Sequence, residues 1–432
     1  MQRRMLFIAI SSLLSSHAIA DVQTNTEFHG YLRTGLGASE SGQTQANFQL
    51  PGARAKYRLG NESDSYIELA VEHQNQLNTA SGNKNYRAVF MVNGHKPHGE
   101  GDLSIKDVTQ AYVEMDDIIA DGMHVWVGRR YYDRRDIHMN DYYWLSSGQG
   151  AKAGAGLGTD NWDLALFRFE DKLNIENGSS QSSEVLLNSS SLDFRYRQQL
   201  NQQHQLTYWL GYTKRHQTPD DQITTPINGS PVPVLIDGFS SEDGFALGTW
   251  LDSKVFGGNN TVAFLYRNGA TVDQGNGKPV NEMQGYDLSE ASMWEINNNF
   301  VYNDDRWSAQ WALIARQDDK GKAGKAGSKI SWYSTGIRPV YYFNEHVSFA
   351  TELGYDHVKD EIEDRSGGLT KLTFAVQVAK GKGYYTRPVL RAFVTTASWS
   401  DEFKGMIGTN VDAPYGDDTS GTTLGIQVES WW

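Results

Sequence analysis

The segment 131–150, YYDRRDIHMNDYYWLSSGQG, concentrates more reactive and aromatic side chains than any other stretch of this 432-residue chain. Arg134, Arg135, Asp136, His138, Asp141, Tyr142, Tyr143 and Trp144 crowd into it. Two uses fit such a set. His138 with Asp136 and Asp141 is the best carboxylate–histidine arrangement available for a hydrolase. No nucleophile motif accompanies it, so a structural or pore-lining place is the stronger reading. Folded back into a lumen, the same segment would narrow a pore with charged pairs and a tyrosine. Other chemistry is poorly supported. AGAGLG at 153–158 lacks the strand–helix setting of a dinucleotide fingerprint, and KGKAGKAGSK at 320–329 fails the P-loop spacing. His95 and His98 sit in a polar stretch and read as solvated rather than metal-binding. With no cysteine in the sequence, neither a disulfide framework nor a thiolate site exists. No cofactor or metal is expected.

The elements that would hold these residues are strands. Toward the C-terminus Leu424, Ile426, Val428, Ser430 and Trp432 share one parity, and Gly425, Gln427, Glu429 and Trp431 the other. A strict period of two means one face in an apolar medium and one in water. Phe28, Gly30, Leu32 and Thr34 oppose Glu27, His29, Tyr31 and Arg33 in the same way, which turns Tyr31 and Arg33 toward water. Ala55, Tyr57 and Leu59 oppose Arg54, Lys56 and Arg58, so 54–59 reads as a second strand. Ile67, Leu69 and Val71 oppose Tyr66 and Glu68, and Tyr385 shares its parity with Arg387 and Arg391. A wet interior thus holds Tyr31, Tyr66, Trp431 and Tyr385 beside Arg33, Arg58 and Glu68. Rings exposed to water gain only if something stacks on them. A sugar has an apolar C–H face for an aromatic plane and a rim of hydroxyls for arginine and carboxylate partners. The bland alternative is that these rings fill space or brace a loop.

The N-terminus supplies the setting. Residues 1–20 carry Arg3 and Arg4, a short apolar run from Met5 to Leu14, and the small-residue site Ala18-Ile19-Ala20, a secretory leader too short to span a bilayer. An exported chain without a long apolar helix enters a membrane only as a closed barrel. Composition agrees: mean hydropathy is −0.55, aromatics make up 12%, and the formal charge of −13 disfavours nucleic acid. Short polar turns near 61–64, 117–122, 158–161, 200–204, 256–260, 302–306, 343–346 and 380–383 separate longer stretches. Those fall near 38–51, 74–104, 131–150, 170–190, 215–242, 267–290, 316–330, 356–370 and 398–420. Alternating turns and loops predict an all-β transmembrane antiparallel barrel of about 18 strands over 21–432, with both termini on the periplasmic side of a Gram-negative outer membrane.

FHGYLRTG at 28–35, KYRLGNESDSY at 56–66, YYDRRDIHMNDYYW, GIRP at 336–339 and the terminal QVESWW together resemble the maltoporin family of outer-membrane maltodextrin channels. The resemblance spans both ends and several interior points. It implies a homotrimer of eighteen-stranded barrels in lipid, each with a lumenal aromatic path, the greasy slide, and polar tracks beside it. By motif, the slide would use Tyr66, Tyr31, Trp431 and Tyr385, the last in place of a tryptophan. The polar track and constriction would use Arg33, Arg58, Glu68, Lys106, Arg134, Asp136, Asp141 and Tyr143, with Tyr142 open as the alternative to Tyr143. The sequence departs from the family at Asn47 and Ser63, where a first-loop cysteine pair is expected, and at Asn259, where the slide has a phenylalanine. It also lacks a tryptophan in the second loop. The resulting expectation is a passive channel for maltose, maltodextrins or related oligosaccharides. A general diffusion porin and, less favoured, a barrel hydrolase are the alternatives.

Overall fold

Eighteen antiparallel strands close into one barrel in a computed structural model that describes residues 24–79, 82–96, 103–177, 181–217, 221–227, 230–236, 240–272, 285–408 and 414–432. The leader 1–20 and His98 lie outside the described residues. The first nine strands are Thr24–Ser39, Ser65–Thr79, Gly82–Lys96, Ser104–Asp116, His124–Arg129, Ala153–Gly158, Trp162–Asn177, Gln181–Asn201 and His204–Arg215. The other nine are Glu242–Val255, Gly258–Asn268, Ser292–Asn303, Trp307–Asp319, Lys329–Tyr342, Val347–Asp360, Arg365–Ala379, Val389–Trp399 and Ser420–Trp431. Closure comes from the first strand, which pairs with both the second and the last.

The barrel wall is inverted relative to a soluble protein. Outward Phe28, Leu36, Val127, Leu210, Val376 and Ile426 are exposed, while Arg195, Arg267, Glu295, Arg316, Glu352 and Lys371 are buried inside. An apolar outer belt around a polar interior is the pattern that lipid outside and water inside impose on a period-two strand. Aromatic side chains cluster near both ends of the belt, Trp307 with Tyr341 at 4.7 Å near the turns and Phe245 with Tyr266 at 6.0 Å near the loops.

Two long connections fold into the barrel. Segment 40–64 buries Phe48, Leu50, Tyr57 and Leu59, and segment 130–152 buries Ile137, Met139, Tyr142 and Trp144. They pack on inward Trp209, Trp250, Trp332 and Trp399, so one side of the lumen is a dry core. Tyr57 lies flat on wall positions Gly336 and Gly354, where a Cβ would overlap its ring, and shares a hydrogen bond with Ser334 at 2.9 Å. The infolded backbone is satisfied by wall charges. Leu59 N donates to Glu352 at 3.0 Å, Lys371 to Leu59 O at 2.8 Å, Arg338 to Met139 O at 3.0 Å and Arg267 to Trp144 O at 3.0 Å. Buried carbonyls and amides away from water need such partners.

The strand count agrees with the sequence, but several boundaries do not, and Tyr385, expected on a strand, precedes the strand Val389–Trp399. The expected second strand at 54–59 is part of the infolded connection and pairs in no ladder, and 61–64 is not a barrel turn. Its alternation has another cause: the apolar parity packs on the inner wall while Arg58 reaches the lumen. The expected loop 74–104 instead contains strand, since Ser65–Thr79 pairs antiparallel with Gly82–Lys96. The polar run Gln74, Asn75, Gln76 belongs to a strand because the wall continues past the apolar belt into water. Likewise 170–190 is mostly strand, Trp162–Asn177 followed by Gln181–Asn201. The missed strand Gly82–Lys96 replaces the spurious one at 54–59, which is why the total is unchanged.

Candidate functional site

With the infolded connections filling one side, the open lumen is left along the first two strands and the last. Tyr31 stands opposite Trp431 and Glu68, and Arg33 opposite Glu429 and Tyr66. Cross-strand partners share a face, so closure of the barrel gathers residues far apart in sequence on one wall. Their rings run in a row. Tyr66 and Tyr31 are 5.9 Å apart between centroids, and Tyr31 and Trp431 are 6.4 Å apart with planes only 18° from parallel. The His138 ring lies 5.8 Å beyond Trp431, and Tyr385 lies 5.4 Å from His138. His138 therefore bridges the gap between the last two rings. A cavity of about 340 Å³ borders this row, with Tyr131, Tyr143, Arg134, Asp141 and Gln149 on its other side.

Charged partners brace the row. Arg33 pairs with Glu62 and Asp64 at 2.7 Å each and reaches Asp141 at 3.7 Å. Arg58 pairs with Glu62 at 2.8 Å and Glu429 at 3.0 Å, and donates to the Tyr31 hydroxyl at 2.9 Å. Tyr31 in turn donates to Glu429 at 3.0 Å, and Tyr66 donates to Glu68 at 2.7 Å. Glu429 also takes Arg387 at 2.7 Å and Arg391 at 2.9 Å, while Arg387 covers the Trp431 ring at 4.3 Å. A buried carboxylate ringed by guanidinium groups is compensated and geometrically fixed. Among the described residues Arg134 has no carboxylate partner. Its guanidinium lies over Tyr131 at 3.9 Å and Tyr143 at 4.9 Å.

The infolded loops tune their own groups. Burial pushes Asp136 above the usual carboxylate range, helped by Asp141. At Asp64 burial acts the same way but the Arg33 guanidinium outweighs it, holding the carboxyl below that range. Burial raises the Tyr143 hydroxyl to about 12. Burial, followed by the Arg58 charge, drives His138 well below 6.5, so the imidazole is neutral. Its Nδ1 faces Arg58 at 3.3 Å and its Nε2 faces Arg387 at 3.1 Å. Neither Asp136 nor Asp141 hydrogen-bonds the ring, so the carboxylate–histidine arrangement that a hydrolase would need is not assembled.

The sequence-derived residues fall as follows. Tyr31, Tyr66, Trp431 and Tyr385 form the ring row, and Arg33, Arg58, Glu68, Arg134, Asp141 and Tyr143 line its cavity. Asp136 sits beside them, opposite Tyr143 in the small loop hairpin. The Lys106 side chain lies outside the described residues. Tyr142 is buried, donating to Glu295 at 2.6 Å and packing edge-on to Trp332, so Tyr143 is the tyrosine at the lumen. Where a cysteine pair was expected, the Ser63 hydroxyl donates to Asn47 Oδ1 at 3.2 Å. Asn259 shares the inward parity of Ala263 and Leu265 and is exposed, leaving that position without a ring. Glu429, Glu62, Arg387 and Tyr131 were not singled out. Glu429 was accessible, since it shares the parity of Trp431; Glu62 and Tyr131 act from folded loops whose course no periodicity reports.

A closed barrel with an apolar exterior and a narrowed, charged lumen defines a porin of the Gram-negative outer membrane. The LamB porin family profile matches residues 26–432, and the chain belongs to this family of passive channels, which are not enzymes. Similar solved chains include OmpT of Vibrio cholerae in its trimer form, 8% identical with a TM-score of 0.37, covering 95% of this chain and 99% of that one. The outer membrane protein opdK of Pseudomonas aeruginosa is 11% identical with a TM-score of 0.46, covering 94% and 99%. A Rh. blastica porin variant is 10% identical with a TM-score of 0.37, covering 94% and 100%.

Proposed function

We propose that this porin is a homotrimeric, sugar-selective channel that passes maltose, maltodextrins or related neutral oligosaccharides by facilitated diffusion. The observation that carries this reading is the unbroken row Tyr66–Tyr31–Trp431–His138–Tyr385 along a lumenal cavity. Rings offer the apolar faces of sugars a continuous surface, while Arg33, Arg58, Glu68 and Asp141 offer their hydroxyls charged partners on the flank. Binding of this kind is shared among neighbouring positions and weak at each, so a sugar moves along without being trapped. Transport needs no ATP, metal or redox group.

The test is ion current through single channels in planar bilayers, titrated with a panel of sugars. Maltotriose should block the current saturably in the millimolar range or below. Current indifferent to every oligosaccharide of the panel would make the protein a general diffusion porin, whose rings only brace the wall.

A further inference from the structure

Toward the periplasmic mouth the same wall changes from rings to amides. Asn25 stands opposite Gln74, and Gln74 opposite Arg87. One step nearer the mouth, Gln76 stands opposite Asn85. These two rungs border a cavity of about 710 Å³, larger than the 340 Å³ beside the rings. Its chemistry is ordered. Asn25 Nδ2 donates to Glu27 and Gln74 Nε2 to Glu72, each at 2.6 Å. Both amides are thereby oriented, with their carbonyl oxygens left as fixed acceptors. Arg87 is neutralised by Glu114 and by Glu72 at 3.6 Å. The amides of Gln76 and Asn85 make no side-chain hydrogen bond within the described residues.

We propose that this amide wall is a second saccharide station, lined on its lumenal parity by amides rather than rings and held by hydrogen bonds, through which neutral sugar reaches or leaves the ring row on the periplasmic side. It rests on the sugar-channel reading above. Carboxamides suit this role because each offers a donor pair and an acceptor without net charge, matching hydroxyls that both donate and accept. With Arg87 paired to Glu114 and Asp116 also on the border, the cavity offers no excess positive charge to hold an anion, which a neutral sugar does not need. Direct hydrogen bonds exchanged against water are individually weak, so a sugar is oriented and released rather than captured. The station also lies at the end of the lumen where Asn259 supplies no stacking surface.

Maltotriose added to one side of single channels at a time tests this. In Gln74→Ala/Gln76→Ala the association rate from the periplasmic side should fall about five-fold, as expected for one net hydrogen bond. The rate from the extracellular side should match that of the wild type, with open-channel conductance and trimer heat stability retained. Should the double variant not insert, Asn85→Ala, which removes no side-chain hydrogen bond among the described residues, should shift the periplasmic rate in the same direction. Unchanged rates from both sides, or an equal fall from both, would overturn the station while leaving the ring row standing. Absence of maltotriose block in the wild type would overturn the station together with the channel reading.

Discussion

Asp136 and Asp64 both sit on infolded loops near lumenal arginines, Arg134 and Arg58 for the first and Arg33 for the second, yet their environments push them in opposite directions. Burial and Asp141 raise Asp136, whereas Arg33 holds Asp64 down. As pH falls, Asp136 therefore takes up its proton first, above the ordinary value of 3.8. Losing that negative charge in a narrow, poorly screened lumen shifts the pore's selectivity toward anions. Reversal potentials across a salt gradient should drift toward anions in that pH interval in the wild type and stay flat in Asp136→Asn. Coincident curves would place Asp136 away from the ion path. The neutral His138, gripped by Arg58 and Arg387, contributes a ring rather than a proton. Period-two reading assigned Tyr31, Tyr66 and Trp431 to the lumen because each lies on a regular strand. It had no means of placing His138 between Trp431 and Tyr385, since that position depends on a loop crossing the barrel.

The infolded connections are the elements that turn a wide barrel into a narrow path. Asn61 is the hinge pin of the first: its amide donates to Phe48 O and Tyr57 O at 2.9 Å each, and its oxygen accepts from Phe48 N at 2.7 Å. Together with the Ser63–Asn47 hydrogen bond, this polar clasp holds the connection at the positions where the resemblance to maltoporins places a cysteine pair in the family. Asn61→Ala orphans buried backbone groups and should cost about 2–3 kcal/mol. A lowered thermal transition and noisier open-channel current would report it; an unchanged transition would mean the connection is held by its apolar contacts alone. The second connection ends in Tyr143, whose ring and the Arg134 guanidinium stack at 4.9 Å. Tyr143→Ala should raise open-channel conductance, because a bulky ring leaves the narrowest part. Equal conductance would move the constriction elsewhere. The extended stretch 54–59 mimicked a strand because packing an extended chain on a flat inner wall imposes the same alternation as facing lipid. Sequence periodicity reports two environments; it does not report which wall provides them.

At the scale of the whole molecule, the inverted barrel was legible because every strand carries the same contrast between lipid and water. Of the hairpin Ser65–Lys96 only the first strand was legible, because polar Gln74, Asn75 and Gln76 carry the wall past the apolar belt and the whole strand Gly82–Lys96 fell within the expected loop 74–104. Closure then does what no single strand can, setting Tyr31 of the first strand 6.4 Å from Trp431 of the last. The central claim is that this seam is a sugar path. Tyr66 and Trp431 contact Tyr31 from two sides and not each other, so with the shared Tyr31 ring held in place by Arg58 and Glu429 their losses add. Each stacking loss should cost about 1 kcal/mol, or about five-fold in affinity, making the pair about 25-fold. The most direct measurement is maltotriose block of single-channel current in wild type, Tyr66→Ala, Trp431→Ala and the double variant. The account predicts block in the wild type that weakens about five-fold in each single variant and about 25-fold in the double, with trimers intact. Equal block in wild type and the double variant would contradict it and remove the rings from the transport path.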